Sequence, residues 1–424
     1  MARRESTPEA PGSRALIVDL VRSLGPVSRV ELVEATGLTQ PAVSMIVRKL
    51  LDDAVIVEVG SAPSSGGKPR RLLDINERAV VGVGVQMGFE SVTFVATNPS
   101  GGVLARQGLP GAQDDPPEAV VRRLADSYQA FIAASGFDVR EIVGVTVAVP
   151  GPLAPDREGI LEAPALPGWT GFALRAELDS LIDAPVLVDN DAGAAALGEF
   201  WSRGVSRYST FGAIYVGTGV GAGVVIDGAL FRGASSNAGE LGHVSLDPTG
   251  PLCVCGNRGC LEVLAGPRAV VSSARNDPRI GDLALSDDPR HVLLDFEEIS
   301  RAAIAGHQGA SDLVTLSADR FAAAALTLTN LFDLDQLVLT GPALLVSGAL
   351  YVRHVRDVLQ STALARRAHP VIVDISANPL DSAAIGAASL ALQRSLAPGH
   401  GPAITDTSSR PQHAKGDPHL AGRR

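Results

Sequence analysis

The sequence predicts a multidomain protein, a winged helix-turn-helix followed by layered α/β structure. Three observations predict it. Three short helical periodicities, with a Gly-containing turn between the last two, run into two short strand patterns around a Gly/Ser-rich tip. From residue 80 onward apolar strand patterns alternate with helical ones. Aromatic residues make up only 4% of a chain that is 46% hydrophobic, which suits α/β layers packed with small aliphatic side chains. A length of 424 residues allows two or three domains with ample core.

Residues 1–12 are polar and rich in Pro and charge, and are expected to be disordered. Leu16, Ile17, Leu20, Val21 and Leu24 then recur at helical spacing until Gly25-Pro26 stops the helix. Ser28 caps a second helix carrying Val30, Leu32 and Val33, which ends at Gly37. Thr39 caps a third, with Pro41 in its first turn. Val43, Ile46, Val47 and Leu50 form its inward face, while Gln40, Ser44 and Arg48 point outward, each four residues from the next. Strand patterns at 55–59 and 70–75 flank a tip that holds Lys68, Arg70 and Arg71. Residues 13–76 are thus read as a winged helix-turn-helix that binds double-stranded operator DNA. Gln40, Ser44 and Arg48 would face base edges in the major groove, and Lys68, Arg70 and Arg71 the phosphates or the minor groove. Net charge does not identify this function: the chain carries −10, and residues 1–80 hold eleven basic and ten acidic side chains.

From residue 80 the spacing predicts strands at 80–85, 91–97, 103–107 and 142–149, with helices at 118–134 and 173–181. Strand 186–188 runs into Asp189-Asn190-Asp191, and a helix follows at 192–201. Two acids and an amide at the carboxyl end of a strand mark the usual crevice position of an α/β fold. Strand 211–216 opens into Gly217-Thr218-Gly219-Val220-Gly221-Ala222-Gly223, read as a glycine-rich loop whose bare backbone can approach phosphate or sugar. A simple glycine-rich turn is the plainer reading. Further on come helices at 267–275, 296–305, 311–331, 346–359 and 383–395, and strands at 336–340 and 371–375. Both halves open with strands, which points to an old duplication. The tail, 397–424, is expected to be disordered.

All three cysteines, Cys253, Cys255 and Cys260, fall within eight positions, and His243 lies ten before the first. Three thiolates and an imidazole are the ligand set of a closed structural zinc site. Gly256 and Gly259 suit the turns that would gather the sulfurs. Buried free cysteines are the bland alternative, and a disulfide would leave an odd thiol. No apolar h-region follows the start and no run is long enough to span a bilayer, so the expectation is a cytoplasmic, nucleoid-associated protein without membrane partners.

Glu240-Leu-Gly-His243 followed by Cys253-x-Cys255-Gly-x-x-Gly-Cys260-x-Glu262 resembles the signature of the ROK family, the repressors, open reading frames and kinases of sugar metabolism. Leu166-Pro-Gly-Trp169, Asp189-Asn-Asp-Ala192 and Gly217-Thr-Gly-Val-Gly-Ala-Gly223 resemble it too. The segment in front is similar to that of the repressor branch, which includes xylose and N-acetylglucosamine repressors. The resemblance implies an actin/hexokinase-like (ribonuclease H-like) pair of α/β lobes, the first from 79–190 plus 383–395 and the second from 191–382. It implies that His243, Cys253, Cys255 and Cys260 hold zinc. Asn190, Asp191, Glu240, His243 and Glu262 would contact the hydroxyls of a sugar effector, chemistry that carboxylates, an amide and an imidazole all suit.

Two departures from the family's pattern matter, one in the two nucleotide-side loops of its kinases and one, at Ala165, in the sugar contacts of its members. Where the kinases carry an aspartate, then glycines and a threonine, this chain has Gly84-Val85-Gln86-Met87-Gly88. Thr340-Gly341-Pro342-Ala343 lacks a second glycine, and Ala165 stands where an asparagine is common. Asp191 would be the general base of a kinase, yet transfer depends mostly on positioning and charge around the phosphates. The expectation is therefore a sugar-responsive transcriptional regulator, catalytically inactive and without ATP. It would act as a homodimer or homotetramer on a two-fold operator. The alternative is a sugar kinase with an appended DNA-binding domain.

Overall fold

The computed structural model describes residues 12–62, 69–162, 166, 168–286, 288 and 290–397. Lys68, Ala165 and most of the two ends read as disordered, 1–12 and 397–424, lie outside the described residues; of those ends only Gly12 and Ala397 are described, and Ala397 is buried.

The chain opens with α1 (Ser13–Leu24), β1 (Val27–Ser28), α2 (Arg29–Thr36), α3 (Gln40–Asp52), β2 (Ile56–Ala62) and β3 (Arg70–Ile75). Local chemistry sets these boundaries. Ser28 and Glu31 form a reciprocal capping box on α2, and Gly37 ends that helix at φ 67°. The Thr39 hydroxyl accepts from the Ala42 amide at 3.4 Å to start α3. Ile17, Leu20, Leu32, Val43, Val47 and Leu50 close the core beneath the three-stranded sheet, ordered β1-β3-β2. The two-residue β1 pairs Val27 with Leu73 and Ser28 with Leu72. It is too short to show as a period in the sequence.

The next sheet contains β4 (Val81–Met87), β5 (Ser91–Thr97), β6 (Val103–Pro110), β7 (Ile142–Val149) and β8 (Val186–Asn190), ordered β6-β5-β4-β7-β8. Helices α4 (Pro117–Ser135) and α5 (Leu174–Asp179) belong to it, and α6 (Asp191–Ser202) leaves it. A second sheet has β9 (Phe211–Val216), β10 (Val220–Ile226), β11 (Ala229–Leu230), β12 (Gln336–Thr340) and β13 (Ile372–Ile375), ordered β11-β10-β9-β12-β13. Helices α7 (Leu261–Ala265), α8 (Pro267–Arg275), α9 (Val292–Ile304), α10 (Gln308–Phe332) and α11 (Leu344–Thr362) accompany it, and α12 (Ser382–Leu396) leaves it. The two sheets repeat one plan. In each, the first strand runs antiparallel to the second and parallel to the fourth.

The exchanged helices α6 and α12 cross backbone to backbone. A Cβ on Gly198 would lie 2.6 Å from the Ser382 carbonyl oxygen, and one on Gly386 would strike the Ala194 carbonyl. That contact forms the joint between the lobes. One apolar cluster runs from Ile17 and Leu50 in the first unit through Leu197 and Phe200 of α6 to Leu392 of α12.

Candidate functional site

The glycine-rich segment after β9 is a hairpin, not an open loop. Gly221 and Gly223 lie inside β10, and an added Cβ would come within 2.6 Å of the Ala192 Cβ or 2.5 Å of the Ala196 Cβ. These two glycines let α6 press on the sheet. Gly219, at the turn, has a different task. Its missing Cβ makes room for the Glu262 carboxylate, which accepts from the Val220 amide at 2.8 Å.

Strand β8 extends two residues past the predicted end and takes in Asp189 and Asn190. Asn190 caps α6: its Oδ1 accepts from the Gly193 amide at 3.0 Å, and its Nδ2 donates to the Gly151 carbonyl at 3.2 Å. One lone pair and one N–H remain for a ligand. Asp191 begins the helix. Burial pushes its carboxyl up to about 7, against the pull of the Ala192 amide and with a push from Glu240 and Glu262. Burial also raises Glu240, which feels His243 and Glu262. Asn190 and Glu240 line one pocket, and Asp191, Glu240, His243 and Glu262 share one field. Elements far apart in the chain thus bring together the residues that the resemblance assigned to sugar.

Asp189 is spoken for. Arg157 meets it at 2.8 Å and Arg232 at 2.7 Å, and the two guanidiniums hold it down to about 2 against the cost of burial. Asn237 donates to and accepts from the Leu153 backbone at 3.1 and 2.8 Å. These contacts tie the 231–240 loop to the loop after β7. Sequence reasoning missed Arg157, Arg232 and Asn237, because none sits in a periodic pattern.

His243, Cys253, Cys255 and Cys260 offer ligand atoms that all lie within 4.8 Å of one another. Cys253 Sγ is 3.6 Å from His243 Nδ1, and Cys255 Sγ is 3.7 Å from Cys260 Sγ. Tetrahedral coordination with metal–sulfur bonds of about 2.3 Å gives edges of about 3.6–3.8 Å, so the set fits such an ion. No disulfide is present; all three cysteines are free. Burial, then the neighbouring thiols, push Cys260 up to about 12.

Gly84, the position that the resemblance aligns with a kinase's aspartate, faces α12. An added Cβ would run into the Ala384 carbonyl and lie 2.5 Å from the Ala388 amide nitrogen. Two positions on, Gln86 Nε2 donates to the Tyr215 hydroxyl at 2.6 Å, joining β4 to β9 across the lobes.

Gln40, Ser44 and Arg48 are exposed along α3, with Met45 beside them at 68% exposure. Arg70 and Arg71 are exposed on β3, and Arg71 pairs with Glu58 at 3.0 Å. The first unit is docked on the rest. The Arg22 guanidinium lies 4.7 Å from the Trp201 ring centroid, and the Tyr208 hydroxyl donates to the Ala35 carbonyl at 2.8 Å.

The ROK family model matches residues 82–394. A xylose repressor of Bacillus subtilis (strain 168) is 30% identical over 261 residues, 62% of this chain and 67% of that protein. The structure of a ROK family transcriptional regulator, a homolog of the Escherichia coli MLC protein, matches with a TM-score of 0.70 at 24% identity, covering 92% of this chain and 96% of its own. A ROK family glucokinase from Streptomyces griseus, in complex with glucose and AMPPNP, matches with a TM-score of 0.60 at 27% identity, covering 74% and 99%. The two sheets and their exchanged helices therefore have the actin/hexokinase-like two-lobed α/β fold. No helix among the described residues is long and apolar enough to cross a membrane.

Proposed function

The chain belongs to the ROK family, and from that premise we propose that it is a DNA-binding transcriptional regulator, a repressor of carbohydrate-utilisation genes. A sugar bound between the lobes controls it. Residues 13–76 act as a winged helix-turn-helix on double-stranded operator DNA, with Gln40, Ser44 and Arg48 in the major groove and Lys68, Arg70 and Arg71 on the backbone or in the minor groove. The lobes comprise 79–190 plus 383–395 and 191–382. The protein works in the cytoplasm as a homodimer or homotetramer, because a two-fold operator needs paired reading heads.

One observation carries this reading. Glu240 and Glu262 lie near enough to Asp191 to oppose its charge, while Gly84, which the resemblance aligns with a kinase's aspartate, is packed on the α12 backbone. On this reading those carboxylates serve as acceptors for sugar hydroxyls, and position 84 supplies none for the magnesium of a nucleotide. His243, Cys253, Cys255 and Cys260 would hold a structural zinc ion, and its binding would brace the loop and fix the imidazole tautomer. His243 Nε2 is then left to meet a hydroxyl, beside Glu240, Asn190, Asp191 and Glu262.

The test pairs two measurements on the full chain. A mobility-shift titration against the DNA upstream of its own gene, over a range of salt, should show specific binding with a steep salt slope. Thermal shift with neutral sugars should identify the one that also alters that binding. Absence of specific binding at any salt would overturn the regulator reading. The second reading, a sugar kinase with an appended DNA-binding domain, draws on the retained Asp191. Phosphate transfer from ATP with magnesium, abolished by Asp191→Asn, would establish it.

A further inference from the structure

Strands β4 and β9 hold equivalent places in the two sheets, and near their carboxyl ends Gln86 and Tyr215 meet. The 2.6 Å bond uses one polar atom of the Gln86 amide. The other, Oε1, is buried and has no partner. If the amide is turned over, the roles exchange and Nε2 is the atom left unspent. A buried amide atom without a partner costs free energy until something bonds it.

The surroundings say what that partner is. The Tyr215 ring is held by the hairpin: a Cβ on Gly217 would lie 3.3 Å from its Cε1. Tyr215 pairs with Gly221, where an added Cβ would lie 2.6 Å from the Ala192 Cβ, next to Asp191. Gln86 pairs with Ala148, which pairs in turn with Asp189, so Gln86, Tyr215 and the start of α6 gather at the same end of the two sheets. An anion there would face the Asp191 carboxylate. A neutral hydroxyl can donate to Oε1 or accept from Nε2, and so satisfies the amide in either orientation.

We propose that Gln86 is a specificity-determining residue of the effector cleft: anchored by Tyr215, its free amide atom bonds the same sugar hydroxyl that Asp191 meets. The proposal rests on the sugar-effector reading above and deepens it. The resemblance aligns this side chain with bare glycine backbone in the family's kinases, so here an amide stands where they have none. The effector it selects is a neutral sugar with that hydroxyl free, not one phosphorylated there.

The test uses calorimetry on the full chain with D-xylose, D-glucose and N-acetyl-D-glucosamine, then the monodeoxy analogues of whichever binds. One deoxy analogue should bind the wild type about tenfold more weakly than its parent. In Gln86→Met, which keeps the side-chain volume, that penalty should vanish, and in Tyr215→Phe it should shrink. Should Gln86→Met lose cooperative melting, Tyr215→Phe reads the same coupling. An undiminished tenfold penalty in the folded variants would overturn the assignment while leaving the effector reading intact. If none of the three sugars binds the wild type, the effector reading and this assignment fall together.

Discussion

The Arg207 guanidinium lies 3.3 Å from the Asp19 carboxylate, with both side chains buried. This pair joins α1 to the segment that follows α6. Beside it, Arg22 stacks over Phe200 and Trp201, and burial lowers Arg22 to about 10, still charged at neutral pH. Helix α6 thus starts at Asp191 in the cleft and ends under α1.

Arg207→Met should loosen this joint. Removing one partner of a buried pair costs about 3–5 kcal/mol, and the loss here should be on the order of 2 kcal/mol because Arg22 also lies in the field of Asp19. Denaturant unfolding should show it, and the response of operator affinity to sugar should weaken while sugar affinity in the absence of DNA is unchanged. Coupling between sites must act in both directions, so DNA should also shift sugar affinity less in this variant. An unaltered response to sugar would remove the pair from the coupling.

The titration of Asp191 gives a pH dependence with a definite sign. Its ordinary value is 3.8 and its folded value is about 7, so the folded state holds an extra proton between them. The stability this group contributes is present at low pH and is lost as pH rises through about 7. Glu240 and Glu262 face it and oppose its charge; the Tyr215 phenol titrates well above this window. Asp191→Asn should therefore melt at a higher temperature than the wild type at pH 8, with the gap closing toward pH 5. If the ionised carboxylate accepts a sugar hydroxyl, wild-type affinity should climb from pH 6 to 8. Calorimetry across that range should find the asparagine variant flat.

Much of this fold could be read from the residues, and the failures have physical reasons. Leu16, Ile17, Leu20 and Val21 announce α1 by their spacing, but the buried run Ile17 to Val21 goes further than that stripe, because the helix packs on its own unit and also on the segment around α6. The strands 142–149, 211–216 and 336–340 occupy the spans that their apolar runs predict. Gly221 and Gly223 misled because a glycine that admits a phosphate and one that admits a helix look alike in sequence. Asp189 drew notice at a strand end, yet its partners Arg157 and Arg232 lie 32 and 43 positions away, beyond any local period. Gln86 and Tyr215 are 129 apart and meet only because the lobes repeat one plan.

The cysteine cluster makes a prediction about composition. The protein as purified should carry about one zinc per chain, by elemental analysis. Cys255 is the exposed member, so Cys255→Ser disturbs the core least and tests ligation most directly. That variant should lose the metal, melt at a lower temperature and bind sugar weakly, since His243 and Glu262 share the braced loop. Chelator should reproduce the shift in the wild type and leave the variant unmoved. Full metal content in Cys255→Ser would remove it from the ligand set.

Restoring a kinase's aspartate should not restore a kinase. In Gly84→Asp the new Cβ would meet the backbone of α12 at Ala384 and Ala388, and backbone cannot rotate aside as a side chain can. Overpacking of this kind costs about 1–3 kcal/mol or more, so the variant should melt well below the wild type. Gln86 would still be held to Tyr215, at the position that the resemblance aligns with a kinase's phosphate loop. A coupled assay with ATP, magnesium and neutral sugars should find no turnover in Gly84→Asp or in Gly84→Asp with Gln86→Gly. Turnover in the double variant would mean that α12 can withdraw from β4, and that the lobes retain a kinase's freedom to open.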